Sequence, residues 1–280
     1  MARVDQAGDA LLLIRCRRPP SVEARERKSK LFSSEGSARS DSQNRWLAGY
    51  LAFVGGFVNS SGFVLIGVFS SHVTGNVGRL ANDAATGQYA AAVAALSLVL
   101  CFFAGAFVAS VIIESRFLGA PSARAYALAL ATETLLLLLF TMLSYATTSE
   151  HPRIRDAEAA LLCAAMGLQN ALVSRISGAV VRTTHLTGVV TDLGIEVARW
   201  FRFWRRSLAE VTHLPLVLGR NPAERPVAAK VVLLGSIAAG FLVGASSGAY
   251  SAVHFHHASM LIATLAVAGC AIYALLNSRA

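Results

Sequence analysis

Two stretches of the sequence contain the same series of histidine, threonine and glycine residues. The first motif is residues 69–78 (FSSHVTGNVG), and the second motif is residues 181–194 (VRTTHLTGVVTDLG). Alignment of the two histidines pairs the following residues: His72 with His185, Thr74 with Thr187, and Gly75 with Gly188. Polar residues are costly in an apolar chain, so their symmetric pairing favours a ligand or ion pathway. These residues are therefore candidate substrate-binding residues, and we expect one site to combine both motifs.

Each motif also has the features of a helix start. Two hydroxyl residues precede each histidine, and such residues are preferred N-caps: Ser70 and Ser71 in the first motif, Thr183 and Thr184 in the second. The sequence predicts helices over about residues 72–86 and 185–199, whose positive N-terminal ends would attract anions. The preceding segments, residues 63–71 and 175–183, would reach about 30 Å if extended. They are long enough to carry both helix starts to the middle of a membrane.

The elements that must position these motifs are predicted to be membrane helices. Of the 280 residues, 55% are hydrophobic and 15% are charged, and the mean hydropathy is +0.54. A chain of this composition is too apolar to be an ordinary soluble domain. Six apolar segments are each close to the roughly 20 residues that a spanning helix needs. These segments are residues 46–69, 88–113, 123–146, 157–174, 227–250 and 258–276.

The net charge of +9 comes mainly from residues 1–45 and 199–230. Basic residues next to apolar segments are what the positive-inside rule produces, so the charge indicates membrane topology and argues against nucleic-acid binding. We expect a disordered cytoplasmic tail at residues 1–44, a polytopic transmembrane domain at residues 45–280, and a basic cytoplasmic loop at residues 199–230. Gln88 and His151 would then face the periplasm, with both termini in the cytoplasm.

The two motif helices are predicted to be too short to cross a membrane. Fifteen helical residues cover about 22 Å, whereas the hydrocarbon core is about 30 Å thick. We therefore predict an all-α integral membrane protein with six spanning helices and two short re-entrant half-helices. An internal repeat pairs about residues 46–146 with residues 157–276. The positive-inside rule leaves eight spans open as an alternative, in which the repeat would be parallel rather than inverted.

Further matches extend the repeat beyond the two motifs. Gly56 and Asn59 align with Gly167 and Asn170 after a slip of two residues, which adds both asparagines to the candidate substrate-binding residues. Downstream, the small residues Ala104, Gly105 and Ala109 align with Ala239, Gly240 and Gly244. Small residues at four-residue spacing predict close helix crossings. The histidines, threonines and asparagines could also serve helix packing alone, and the sequence leaves that alternative open.

Three charged residues fall in or near the apolar segments. Arg79 and Asp192 occupy the same position in the two motif helices, so we predict an ion pair between them, with two separately solvated side chains as the alternative. Glu133 lies near the middle of the segment at residues 123–146. It is a candidate proton site, and the alternative is a carboxyl group that is simply protonated or is hydrogen-bonded to a neighbouring helix.

Four sequence strings together carry a family resemblance: SHVTGN in the first half, with MGLQNA, VRTTHLTG and TDLG in the second. This combination resembles the YoaK family of bacterial multi-pass membrane proteins, over roughly residues 45–276. The resemblance implies a location in the bacterial inner membrane. It implies no substrate and no reaction, because the family is a domain of unknown function.

The sequence contains no GxSxG, P-loop or HExxH signature, and its four cysteines have no metal-binding spacing. We therefore expect no enzymatic activity, no cofactor and no metal. The predicted function is a transporter or channel for a small solute, with an anion favoured by the helix starts. A membrane scaffold or sensor without transport activity is the alternative. The bilayer is the expected partner, and the oligomeric state is left open.

Overall fold

The computed structural model describes residues 41–114, 122–146, 152–177, 183–212 and 228–277. Within these ranges the chain is all helical and contains no strand, which confirms the predicted all-α class. The helices are α1 (Asp41–Ile66), α2 (Val73–Ala85), α3 (Tyr89–Glu114), α4 (Ser122–Ala146), α5 (Pro152–Ile176), α6 (Leu186–Thr212), α7 (Ala228–Phe255) and α8 (Met260–Asn277). A short 3-10 turn, His256–Ser259, joins α7 to α8.

Five stretches are long and apolar enough to cross a membrane: Ser42–Ile66, Tyr89–Glu114, Ala123–Ala146, Arg153–Ile176 and Ala228–Leu276. The last has 49 residues. As one straight helix it would extend about 73 Å, more than twice the thickness of a bilayer core. His256 breaks it with a positive φ of 48°, so this stretch contains two helices, α7 and α8.

The N-terminal boundary of the membrane domain lies earlier than predicted. Helix α1 begins at Asp41, so the predicted tail at residues 1–44 ends four residues too late. The reason is packing, since Gln43 and Asn44 are polar but buried in the protein rather than solvated. Residues 1–40 lie outside the described residues.

The two motif helices differ in length. Helix α2 has 13 residues and is about 20 Å long, close to the predicted half-helix. Helix α6 has 27 residues and is about 40 Å long, so the predicted end near Arg199 is wrong, and so is the prediction that this helix is a short half-helix. Its sequence contains no proline and no glycine after Gly194, so nothing breaks the helix there. Neither α2 nor α6 is among the five apolar stretches.

The long apolar helices pack in pairs through glycines, as the small-residue spacing predicts. Helix α1 packs along α7, where Gly244 and Gly248 lie against the backbone carbonyls of Phe53 and Phe57. Helix α3 packs along α5, where Gly105 lies against the carbonyl of Ala164. A methyl group at any of these glycines would collide with the facing backbone. Glycine therefore allows these helices to approach at backbone contact.

Helices α1 and α5 run in opposite directions. Gln169 Nε2 donates to the carbonyl of Leu51 at 2.6 Å, whereas Arg155 Nη2, earlier in α5, donates to the carbonyl of Ile66 at 3.5 Å. The end of α1 and the start of α5 thus lie on the same side of the protein. Helices α4 and α8 also pack against each other.

The core is formed mainly by α1, α4 and α5. Its largest fully buried side chains are Tyr126, Phe57, Phe140, Leu47, Leu51, Leu130, Leu137, Leu162, Met166, Leu168, Leu172 and Ile176. Helix α3 instead exposes large apolar side chains, among them Phe103 and Phe107. An apolar helix that exposes such side chains is suited to contact lipid.

Candidate functional site

The first motif is tied to the inside of α1 by Asn59. The Asn59 Oδ1 accepts a hydrogen bond from the backbone N–H of Ser71 at 3.0 Å and another from the Ser71 hydroxyl at 3.1 Å. Asn59 lies seven residues, or about 10 Å, before the end of α1 at Ile66. Gly67, with a φ of 73°, begins the reversal of the chain after α1. The return segment therefore carries the start of α2 back to the depth of Asn59.

The second motif is held by Asn170 through a hydroxyl hydrogen bond alone. The Thr184 hydroxyl donates to Asn170 Oδ1 at 2.8 Å, and Asn170 Nδ2 donates to the carbonyl of Met166 at 2.8 Å. The second bond orients the amide so that its oxygen faces Thr184. Asn170 lies six residues, or about 9 Å, before the end of α5 at Ile176. The two asparagines that align in the sequence thus bind aligned hydroxyl residues.

The predicted capping role of these hydroxyl residues is wrong for Ser71. The N-cap position of α2 is His72, and its side chain makes no capping hydrogen bond. Ser71 and Thr184 instead use their hydroxyl hydrogens to bond the asparagines. The first turn of α2 therefore begins without a side-chain cap, and helix-terminal N–H groups that lack a cap need another partner such as water or a ligand.

Gly75 and Gly188 each provide room for a histidine ring. The His72 imidazole lies over Gly75, three residues later, and His185 lies over Gly188 in the same way. A Cβ at either glycine would collide with the ring. The two glycines therefore determine where the imidazoles lie, and both histidines are exposed at the protein surface together with Thr74 and Thr187.

The two motif helices also bury residues at the same aligned positions. Residue by residue, the burial of residues 70–85 matches that of residues 183–198, with Asn76 and Val189 both buried. The exception is one acidic position, where Asp83 is half-buried and Glu196 is buried. Helix α2 packs on α3, and α6 packs on α7.

Two neighbouring cavities adjoin the first motif. One has a volume of about 320 Å³ and includes His72, Asn76 and Arg79 in its wall. The other, of about 260 Å³, is lined partly by Arg79, Arg155 and Asp156. Arg79 belongs to both walls, so the two cavities are adjacent. Four side chains that can donate hydrogen bonds thus surround this space, together with one carboxylate.

The structure does not bring Arg79 and Asp192 together. Both side chains are exposed, and the ion pairs among the described residues do not join them. The acidic residue that faces α7 is Glu196, one turn after Asp192. Its Oε1 accepts hydrogen bonds from Lys230 at 2.9 Å and from Arg199 at 3.0 Å. Lys230 lies in the first turn of α7.

Several buried polar groups were not among the predicted site residues. Near the second motif, Gln169 Oε1 and Thr183 Oγ1 are buried and find no hydrogen-bond partner in the described part of the chain. Glu158 is buried beneath α4, where its Oε1 accepts a hydrogen bond from Ser144 at 2.6 Å. Glu158 lies at the start of a predicted span, where an acidic residue normally indicates the membrane interface. Its position in the sequence therefore did not predict that it is buried.

Glu133 is fully buried in α4, and neither carboxyl oxygen has a hydrogen-bond partner among the described residues. The predicted hydrogen bond to a neighbouring helix is thus not found. Groups of three or more histidine, cysteine or acidic side chains that could hold a metal are not found in the described ranges either.

The chain was compared with known proteins. No curated protein and no solved structure matches it. One family matches over residues 47–273, close to the residues 45–276 that carry the resemblance noted in the sequence. The chain therefore belongs to the family described as protein of unknown function (DUF1275).

Proposed function

We propose that this protein is a multi-pass membrane transporter or channel for a small anionic solute, with its site at the starts of α2 and α6. The observation that carries the proposal is the pair of asparagine anchors, Asn59 and Asn170. Each draws a helix start back beside the interior of an apolar helix. Irregular polar backbone at such a depth is tolerated where it is buried in protein or lines a water-filled cavity.

An inverted repeat with six spans is part of this proposal. In this repeat, α1–α4 of the first half correspond in order to α5–α8 of the second half. The contact of α1 with α7 then corresponds to the contact of α5 with α3, and the contact of α4 with α8 corresponds to itself. Helices α1 and α5 are antiparallel, which fits six spans with α2 and α6 as non-crossing helices. Eight alternating spans would make α1 and α5 parallel. Inverted repeats of this kind are common in transporters.

The glycine contacts support the repeat and adjust its register. Gly105 lies against the carbonyl of Ala164, and Gly244 lies against that of Phe53. Ala164 and Phe53 are related by the same offset as Asn170 and Asn59. The contacts therefore equate Gly105 with Gly244, one helical turn beyond the Gly240 that the sequence alignment selects.

An anionic solute is favoured by the side chains around the first motif. His72, Asn76, Arg79 and Arg155 line the two adjacent cavities, beside a helix start that has no side-chain cap. Arginine and helix N-terminal N–H groups both bind oxyanions. At the second motif, the unpartnered oxygens of Gln169 and Thr183 are of the kind that ordered water or a ligand satisfies.

The proposal includes a location in the bacterial inner membrane, with both termini and the basic segment at residues 199–230, which contains the end of α6 and the start of α7, in the cytoplasm. Residues near Gln88 and His151 would face the periplasm. The apolar helices support a membrane location, and the concentration of basic residues supports this orientation.

Uptake by liposomes that contain the purified protein tests the function. The probes are radiolabelled chloride, sulfate, phosphate and short carboxylates, compared with protein-free liposomes. His72→Ala and His185→Ala are expected to abolish uptake while thermal unfolding in detergent stays unchanged. His254→Ala, an exposed histidine at the end of α7, is the matched control and should retain uptake.

Three results would contradict the transport proposal: no uptake of any probe, full uptake by both histidine variants, or loss of folding in both. Each would favour the alternative of a membrane scaffold or sensor. In that case the asparagine bonds and the glycine contacts would serve only to pack the starts of α2 and α6.

A further inference from the structure

Glu133 is a carboxyl group enclosed in the middle of an apolar helix. It lies eleven residues, or about 16 Å, from the start of α4 at Ser122, and about 20 Å from its end at Ala146. It has no exposed surface, and both of its oxygens lack hydrogen-bond partners among the described residues. An unpartnered charge in the middle of a membrane is expensive, so the neutral, protonated form is favoured.

The groups that face Glu133 do not supply a balancing positive charge. Tyr50 on α1 and Cys270 on α8 lie within electrostatic range of the carboxyl. From α5, Glu158 reaches α4 at Ser144, about 16 Å further along the helix. From the 3-10 turn, His257 packs near Tyr145. The three ion pairs of the described residues do not include Glu133.

Tyr50 lies within electrostatic range of this carboxyl and also reaches the protein surface. Its hydroxyl donates to the carbonyl of Ala266 on α8 at 2.6 Å, one turn before Cys270. Tyr50 is 38% exposed and lines a groove of about 550 Å³ between α1 and α7. Arg45 and Ser236 also line this groove. Of the two groups within electrostatic range of Glu133, Tyr50 is therefore the one that reaches an open groove, whereas Cys270 is buried.

We propose that Glu133 is a proton-binding site that exchanges its proton with the groove at Tyr50, and that this exchange couples proton movement to solute transport. The carboxylate takes up one proton to become the neutral acid, and it releases the same proton on return. No other reactant is needed. The coupling rests on the proposed transport function, whereas the proton site does not.

Carbodiimide labelling tests the proton site. Dicyclohexylcarbodiimide adds to a protonated carboxylic acid in an apolar environment and leaves a stable acylurea, which mass spectrometry locates in the peptide that contains Glu133. The full chain in detergent should carry this adduct at neutral pH. Labelling should fall about tenfold per pH unit once the carboxyl ionises. Glu133→Gln should lose the adduct, and the control Glu158→Gln should keep it.

Infrared spectroscopy gives a readout that does not depend on the reagent. The carbonyl stretch of a protonated acid should be present in the unmodified protein and reduced in Glu133→Gln at the same pH. Should Glu133→Gln fail to fold, Glu133→Leu supplies the apolar replacement. Absence of an adduct at Glu133 at every pH, or labelling that does not change with pH, would overturn the proton site.

The coupling is tested in liposomes that contain a trapped pH-sensitive dye. Addition of each anion should acidify the lumen with the unmodified protein, and the acidification should be lost with Glu133→Gln and reduced with Tyr50→Phe. Anion uptake without acidification would overturn the coupling. Absence of any anion uptake would reject the transport function itself, while labelling and infrared measurements would still decide the proton site.

Discussion

Asn59 accepts the backbone N–H of Ser71 at 3.0 Å and thereby joins the start of α2 to the middle of α1. The chain reverses before Ser71, so the N–H of Ser71 has no helical carbonyl to bond. The side-chain amide oxygen of Asn59 accepts this hydrogen bond in place of a backbone carbonyl. The Ser71 hydroxyl also donates to Asn59, and the Thr184 hydroxyl makes the corresponding bond to Asn170. The bond from a hydroxyl to an asparagine thus occurs twice, at aligned positions in the two halves of the chain.

Replacement of either asparagine should destabilise the protein. Asn59→Ala removes the acceptor of a part-buried backbone N–H, a loss that typically costs about 1–3 kcal/mol. Asn170→Ala should cost about 1 kcal/mol, because the partner it strands is a hydroxyl that can rotate. Denaturant unfolding in detergent measures both. Asn82→Ala, an exposed asparagine on α2, should change stability by less than about 0.5 kcal/mol.

Hydrogen exchange separates this local effect from a global one. In Asn59→Ala, the amides at the start of α2 should exchange faster while those of α5 stay protected. Equal losses in the Asn59 and Asn82 variants would show that the anchor contributes nothing.

A methyl group at Gly75 should move the histidine without damaging the fold. The group that it would meet is the flexible His72 ring, not backbone. Alanine in a helix interior is about 0.5–1 kcal/mol more favourable than glycine, so stability should stay equal or rise. Gly75→Ala should therefore reduce anion uptake without loss of stability. Gly78→Ala, which faces open space on the same helix, is the control; identical uptake by the two variants would show that the ring position is unimportant.

The glycines of the helix crossings should behave in the opposite way. A methyl group at Gly105 or Gly244 would collide with the backbone of the facing helix, so the helices must separate. Such overpacking typically costs about 1–3 kcal/mol. Gly235→Ala and Gly269→Ala, where the space is open, should be neutral or stabilising. Thermal unfolding of the four variants in one detergent measures the difference, and a neutral Gly105→Ala would contradict the close crossing.

Much of the fold could be predicted because apolar length and motif repetition are properties of the sequence itself. The starts of α2 and α6 lie one residue after His72 and His185, where the hydroxyl residues indicated a helix start. The match of Asn59 with Asn170 was visible as well. Its meaning was not, because the bond of Asn59 to Ser71 depends on the reversal of the chain between them.

The remaining features depend on tertiary contacts. The end of α6 could not be predicted correctly from residues 199–206 (RWFRFWRR), because alternating arginine and aromatic residues indicate an interface but do not stop a helix. The pairing of Glu196 with Lys230 joins residues on different helices across a loop, and no periodicity reveals it. Aligned charges at Arg79 and Asp192 suggested a contact, yet equivalent positions meet only near a symmetry axis, and these two side chains are exposed.

Topology can be tested with single cysteines in a variant whose four native cysteines are replaced. A cysteine at Gln88, an exposed position between α2 and α3, should react with a membrane-impermeant maleimide from the periplasmic side. A cysteine at Arg202 on α6 should react only after the membrane is opened. Reaction of the Gln88 cysteine from the cytoplasmic side alone would reject six spans and favour eight.

Glu196 should make the stability of the protein depend on pH. The hydrogen bond from Lys230, followed by the charges of Lys230 and Arg199, holds the pKa of the Glu196 carboxyl below its usual value of 4.5 despite an opposing effect of burial. Glu196 lies on α6, which is not among the five apolar stretches, and Lys230 lies in the first turn of α7. The pair joins the second motif helix to α7.

The sign of the effect follows from proton linkage. Because the folded protein holds Glu196 at a lower pKa than the unfolded chain, the unfolded chain binds the proton more tightly. The stabilisation is therefore complete above about pH 4.5 and is lost as the pH falls through the folded pKa. Unfolding measured in detergent between neutral and acidic pH should show this loss in the unmodified protein.

Glu196→Gln and Lys230→Met should each be less stable at neutral pH and less sensitive to acid. Asp192→Asn, an exposed acidic residue on the same helix, should leave the acid sensitivity unchanged; an equal change in the Asp192 and Glu196 variants would show that the pair with Lys230 does not hold α6 against α7.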